Sequence, residues 1–123
     1  LNETIEVFKS LLAQKGKLII AVPNSNSADS GYYNENWAAY DVPRHLYHFT
    51  AKSITTLFSN HEMNVIQVKP MLLDAFYVSM LSEKYKGSNL GFAKGLWNGV
   101  KANTNTMLNG NNASSIIFVL EKG

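Results

Sequence analysis

Five apolar residues in a row, Leu18-Ile19-Ile20-Ala21-Val22, follow Gly16-Lys17 and run into Pro23-Asn24. An apolar run with no polar alternation predicts a strand buried on both faces, as in a parallel sheet covered by helices. Open α/β sheets bind ligands beyond the carboxyl ends of their strands, so the loop after Val22, starting at Pro23 and Asn24, is where chemistry is expected.

The elements around this strand follow from periodicity. Ile5, Phe8, Leu11 and Leu12 recur on one helical face, with Glu3 and Glu6 near the positive helix start and Gly16 as the expected stop. A second helix is expected after Phe49-Thr50. The Thr50 hydroxyl can accept from a first-turn amide, Phe49 can pack on Ile54, and Ile54, Leu57 and Phe58 point inward. Met63 to Pro70 alternates, with Ile66 and Val68 on one face and Gln67 and Lys69 on the other, which predicts a half-exposed strand near a sheet edge. Ser115 to Glu121 is apolar through Ile116 to Leu120, which places it inside the sheet. The about 44 residues between these strands are too many for a structureless loop. They carry helical patterns, first in Leu72, Phe76, Tyr77, Met80 and Leu81, then in Leu90, Leu96, Trp97 and Val100. Asn103 to Asn112 reads as a surface loop.

Composition narrows the class. The chain has 123 residues, 46% of them hydrophobic, and a net charge of +2, which fits a single globular domain and gives no basic footprint for nucleic acid. The absence of cysteine rules out a disulfide framework and a thiolate zinc site, and fits a reducing, cytoplasmic compartment. No apolar run approaches the roughly 20 residues that cross a bilayer, and no basic-then-apolar leader opens the chain.

Taken together, the helix, the strand Gly16-x-Leu18-x-x-x-x-Pro23-Asn24, the aromatic loop with Trp37, and Asp41-x-Pro43-Arg44-His45-Leu46 running into Phe49-Thr50 resemble the class I S-adenosylmethionine-dependent methyltransferases, in their carboxyl-terminal half. The resemblance implies an α/β fold with a partial Rossmann-like sheet. Leu18 to Val22 would be the fifth strand, Met63 to Pro70 the sixth, and Ser115 to Glu121 the seventh, which runs antiparallel between them. Residues 1–123 would form one part of a single domain, with a helical insertion over about 72–102. Relatives often carry Gly-Phe where this chain has Glu62-Met63. The family holds S-adenosyl-L-methionine with a glycine-rich loop and an acidic residue on earlier strands, and neither motif occurs here. Gly87, Gly91, Gly95 and Gly99 follow no strand, so they are not that loop. The implied reading is the acceptor-side excerpt of a methyltransferase, inactive alone, with Pro23 and Asn24 nearest to the cofactor. Methyl transfer would be an in-line displacement accelerated by positioning and exclusion of water. A non-catalytic methyltransferase-like module and a nicotinamide-dependent α/β oxidoreductase fragment remain alternatives.

Each candidate residue has a structural and a functional reading. His45 either fixes the loop by a hydrogen bond or acts as a base toward an acceptor that keeps its proton. His48 fits a loop-fixing role or an acceptor contact. Arg44 can pair with Asp41 or with an acidic acceptor group. Trp37 and Tyr40, beside Tyr32 and Tyr33, either pack the loop on the sheet or line a flat acceptor site, and Asn24 either turns the chain or binds the acceptor. Asp41, His45 and His48 have ligand chemistry but neither fixed spacing nor a fourth ligand, so no metal is expected. In the reading that the resemblance implies, the acceptor would be a small or lipid-like molecule. Glycines every four residues in the insertion allow close helix packing or a mobile lid. Membrane contact through Lys84, Lys86, Lys94 and Lys101 beside Phe92 and Trp97 is not expected, because glycine interrupts a weakly charged face. A bare edge at Leu18, Ile19, Ile20, Ala21 and Val22 would favour self-association.

Overall fold

The structure is a computed structural model that describes residues 1–89, 91–109 and 112–123, apart from the side chains of 105 and 107–109. Its elements in chain order are α1 (Asn2–Leu11), β1 (Leu18–Pro23), α2 (Ala28–Tyr33), two short 3₁₀ turns (Asn34–Asn36 and Ala38–Tyr40), α3 (Ala51–Ser59), β2 (Met63–Pro70), α4 (Asp74–Tyr85), α5 (Gly91–Asn109) and β3 (Ser115–Lys122). The fold is mixed α/β.

Strand β3 lies between β1 and β2 and is antiparallel to both. Ile20 stands opposite Phe118 and Ala21 opposite Ile117. Val65 and Val68 face Leu120 and Phe118 from the other side. Two neighbours antiparallel to one strand are parallel to each other, so β1 and β2 run the same way. The expected inner position of the last strand is therefore observed. Ile116, Phe118 and Leu120 are buried and form one core with Ile5 of α1, Ile54 and Phe58 of α3, and Met63 of β2. Each such side chain contributes about 1.5–3 kcal/mol when fully removed from water.

Helix α3 forms where its cap predicts. Thr50 Oγ1 accepts from the Ser53 amide at 3.1 Å and Ser53 Oγ accepts from the Thr50 amide at 2.9 Å, a reciprocal capping box. Phe49 and Ile54 join the same core. The turn that follows α3 closes at Glu62, which adopts the left-handed region at φ 55, a conformation that favours glycine. Its carbonyl accepts from the Gly123 amide at 2.8 Å, tying the helix end to the chain's last residue.

Several expectations are corrected. β1 is covered on one face only. Leu18, Ile20 and Val22 pack on the core, but Ile19 is 67% exposed because no described element lies over that side. Leu11 is exposed too. Helix α1 stops when Leu12 turns extended (ψ 130), not at Gly16. Gly16 instead closes a tight turn onto the Ala13 carbonyl at 2.9 Å, where a Cβ would lie 3.0 Å from the Ala13 nitrogen. The alternation of β2 is broken by a bulge between Val65 and Gln67. The bulge keeps Met63, Val65 and Val68 across from β3 and leaves Ile66 unpaired.

The excursion between β2 and β3 is a helical hairpin. Ala75, Ser79 and Ser82 of α4 are buried, as are Gly95, Gly99, Ala102 and Thr106 of α5. A Cβ at Gly95 would stand 2.5 Å from Met80 Cα, and one at Gly99 would stand 2.9 Å from Phe76 Cα. The two backbones therefore touch where side chains are missing. Gly87 is not on this stripe: it ends α4 with φ +69. The expected loop Asn103 to Asn112 is helical as far as Asn109. Burial of Ala102 and Thr106 against the neighbouring elements overrides the weak helix propensity of Asn and Thr. Leu90 of the expected helical pattern, and Gly110 and Asn111 of the expected loop, lie outside the described residues.

The contacts at the glycines give an expected ranking. Gly95→Ala and Gly99→Ala each lower stability by about 1–3 kcal/mol through overpacking. Gly91→Ala meets only ordinary contact, 3.5 Å from Glu83 Cβ, and gains up to about 1 kcal/mol of helix propensity. Urea unfolding midpoints of the three variants measure the order.

Candidate functional site

The site is built at the carboxyl end of β1. Asn24 is buried there. Its amide nitrogen Nδ2 donates to the Ala113 carbonyl at 3.1 Å and its Oδ1 accepts from the Asn26 amide at 3.2 Å, which turns the chain out of the sheet. Ser27 then caps α2 by accepting from the Ser30 amide at 3.2 Å. This short helix carries three buried polar residues, Asp29, Ser30 and Tyr33.

Asp29 anchors the aromatic loop. The buried Trp37 donates its indole Nε1–H to Asp29 Oδ2 at 3.0 Å, and Ser114, just before β3, donates to the same oxygen. Trp37 meets Tyr40 edge to face at 5.0 Å, and Tyr40 meets His48 at 4.9 Å. Trp37 is thus the packing wedge under the loop, and Tyr40 and His48 stack outward from it. The His48 ring bonds the Tyr40 carbonyl through Nε2 at 3.1 Å.

The segment between them is a tight turn. Asp41 adopts the left-handed region at φ 40, and its carbonyl accepts from the amides of Arg44 and His45 at 2.8 and 3.1 Å. The Val42-Pro43 peptide is cis. His45 Nδ1 lies 3.0 Å from the Ala39 carbonyl. A carbonyl only accepts, so Nδ1 carries the proton and Nε2 of the neutral ring is the basic nitrogen. Arg44 approaches Asp41 at 3.7 Å but keeps an 82% exposed side chain, so its guanidinium remains open to a ligand.

These residues form one wall of a cleft of about 250 Å³. Pro23, Asp41, Arg44 and His45 line it on the loop side, and Asp74, Tyr77, Leu81 and Tyr85 of α4 line it on the other. Of the sequence candidates, Pro23, Arg44 and His45 come together here, while Asn24, Trp37, Tyr40 and His48 lie outside the lining. The α4 wall was not singled out as a site by sequence. Its one signal is the helical spacing of Asp74, Tyr77, Leu81 and Tyr85 on a single face. Asp74 is held by a hydrogen bond from Ser115 of β3. The cleft offers a cation, an imidazole nitrogen, two carboxylates and two phenols around a partly apolar floor. That set suits orienting a polar group of a small molecule and taking a proton from it. Among the described residues, no group of three or more His, Cys, Asp or Glu side chains could hold a metal ion.

A second cavity, of about 310 Å³, lies between α2 and α5 and is lined by Asp29, Tyr32, Tyr33, Asn98 and Lys101 with two alanines. Behind it, Tyr33 donates to Glu83 Oε1 at 3.2 Å, and Asn98 donates to the Tyr33 hydroxyl at 2.9 Å. This cavity presents fewer reactive groups than the cleft. No protein-family model matches the chain, and no curated protein matches it significantly in sequence.

Tyr33 gives a pH signature for the packing of α2 on the hairpin. Burial, assisted by the Glu83 charge and opposed by the bond from Asn98, pushes its hydroxyl up from 10.0 to about 12. A folded-state value above the unfolded one means stability that is complete below pH 10.0 and lost as pH rises toward 12. Between those limits the wild type is expected to lose stability relative to Tyr33→Phe. Urea midpoints of both proteins across that range check it.

Proposed function

We propose that this chain is the acceptor-binding part of an S-adenosylmethionine-dependent methyltransferase, and that the cleft at the end of β1 receives the acceptor. The observation that carries the reading is the strand arrangement β1-β3-β2, with β3 antiparallel between two parallel strands. It is the order implied by the resemblance in the Pro23-Asn24 and Asp41-Val42-Pro43-Arg44-His45-Leu46 segments.

The residues present do not fit the methyl donor. At the end of β1, Pro23 has no amide hydrogen to offer, and the Asn24 side chain is buried in the turn on Ala113 and Asn26. The turn after β1, from Pro23 to Ser27, holds no glycine that would let the backbone cradle an amino-acid and adenosine group. The donor therefore belongs, in this reading, to residues other than these. The chain's own share is acceptor work. Arg44 attracts an anionic or polar group, Tyr77 and Tyr85 hold the acceptor's body against α4, and His45 Nε2 takes a proton from an attacking hydroxyl or amine. Aligning the acceptor and excluding water are effects large enough to account for most of a group-transfer rate. A non-catalytic module is the second reading, and the missing donor cradle is what favours it.

Two measurements separate these readings. Calorimetric titration of the chain with S-adenosylmethionine is expected to give no micromolar one-to-one binding, and such binding would refute the division of labour. In the protein translated from the whole reading frame, methyl transfer is read as S-adenosylhomocysteine release. There His45→Gln is expected to lower kcat by about a hundredfold for a proton-bearing acceptor, and Arg44→Ala to raise KM. Donor binding without any methyl transfer would favour the module, and neither binding nor transfer would overturn the proposal.

A further inference from the structure

The hairpin α4–α5 is packed inside out. Its buried face is made largely of glycine, alanine, serine and threonine, with Val78 the one large apolar side chain fully buried among its described residues, while several other large apolar side chains face solvent. Phe92 is 73% exposed and Trp97 61%, and Tyr85, Leu96 and Val100 are exposed as well. Phe92, Leu96 and Val100 follow each other at four-residue spacing, so they form one stripe along α5, with Trp97 beside it.

Charge is sorted in the same way. The two acidic residues of the hairpin are withdrawn from this surface: Glu83 is buried against Tyr33 and Asn98, and Asp74 is held by Ser115. Helix α5 has no acidic residue. The exposed charges are all positive, on Lys84, Lys86, Lys94 and Lys101. Lys101 lies over the Trp97 ring at 5.7 Å and Lys86 over the Tyr32 ring at 5.0 Å, so both ammonium groups flank aromatic surface. The glycines that interrupt the pattern in sequence do not interrupt this face, because Gly95 and Gly99 point at α4.

We propose that the α4–α5 hairpin docks in the plane of an anionic membrane surface. Phe92, Leu96, Trp97 and Val100 enter the acyl boundary, and the lysines sit among the headgroups. A purely apolar partner would leave the sorting of charge unexplained. A bilayer bearing anionic lipid matches both the stripe and the lysines that flank it. No described helix is long and apolar enough to cross a membrane, and in-plane docking needs none. Tyr85 also lines the acceptor cleft, so the docked surface lies beside its mouth. The docking itself does not depend on the chemistry performed there.

The test is sedimentation of the full chain with vesicles of phosphatidylcholine alone, or of phosphatidylcholine mixed equally with phosphatidylglycerol, together with tryptophan emission. Trp37 is already buried, so a blue shift reports Trp97. Binding to the anionic vesicles is expected to be at least about tenfold tighter than to the neutral ones, and to weaken with salt. The double variant Phe92→Ser, Trp97→Ser is expected to lose at least about tenfold in binding with an unchanged melting transition, because both side chains face outward. Replacing the four lysines with glutamine should erase the preference for anionic vesicles. No sedimentation, equal binding to both vesicle types, or full binding by the double variant would each overturn the proposal. A dimer seen by light scattering without lipid, and dissolved by the same double variant, would also overturn it, since the face would then belong to a second copy.

Discussion

Everything in this fold depends on β3 reaching the gap between β1 and β2. Until the last strand arrives, neither β1 nor β2 has a hydrogen-bonded neighbour in the sheet, and Ile5, Ile54, Phe58 and Met63 have no floor to pack on. The strand is also tied at both ends. Ser114 and Ser115 bond Asp29 and Asp74 at one end, and Lys122 donates to the Leu12 carbonyl at 2.7 Å at the other. Closing so long a loop costs chain entropy before any contact returns it, so sheet formation is cooperative with docking of α1 and α3.

The same strand builds the cleft. Asp29 and Asp74 come from segments far apart in sequence, one beneath the aromatic loop and one at the start of α4. Both are fixed by adjacent serines, Ser114 just before β3 and Ser115 at its start. The two walls are thereby held at a set separation by one backbone. A buried carboxylate needs such partners, because its desolvation is otherwise too costly.

The sequence made some of this legible and hid the rest for physical reasons. The bounds of β2, the cap at Thr50 and the apolar centre of β3 are local signals, written in alternation and in side chains that bond their own backbone. The bulge at Ile66 and the one-sided burial of β1 depend on neighbours, which periodicity does not report. Asn103 to Asn109 reads as loop because propensity is summed over isolated residues, whereas here Ala102 and Thr106 are anchored by packing. Of the candidate residues, Arg44 and His45 reached the cleft because the turn at Asp41 aims them there. Trp37 was legible as an aromatic loop residue, but its burial on Asp29 depends on a helix begun nine residues earlier and on Ser114, distant in sequence.

The glycine contacts on α5 have a mechanical consequence. Where Gly95 and Gly99 bring the main chain of α5 onto α4, few side chains stand between the helices to absorb a relative shift, so the pair behaves as a stiff plate. One side of that plate carries Trp97 and the other edge carries Tyr77 and Tyr85. A tilt imposed on α5 from outside is therefore delivered undamped to the α4 wall of the cleft, and the width of the opening becomes a readout of what the outer helix is leaning against.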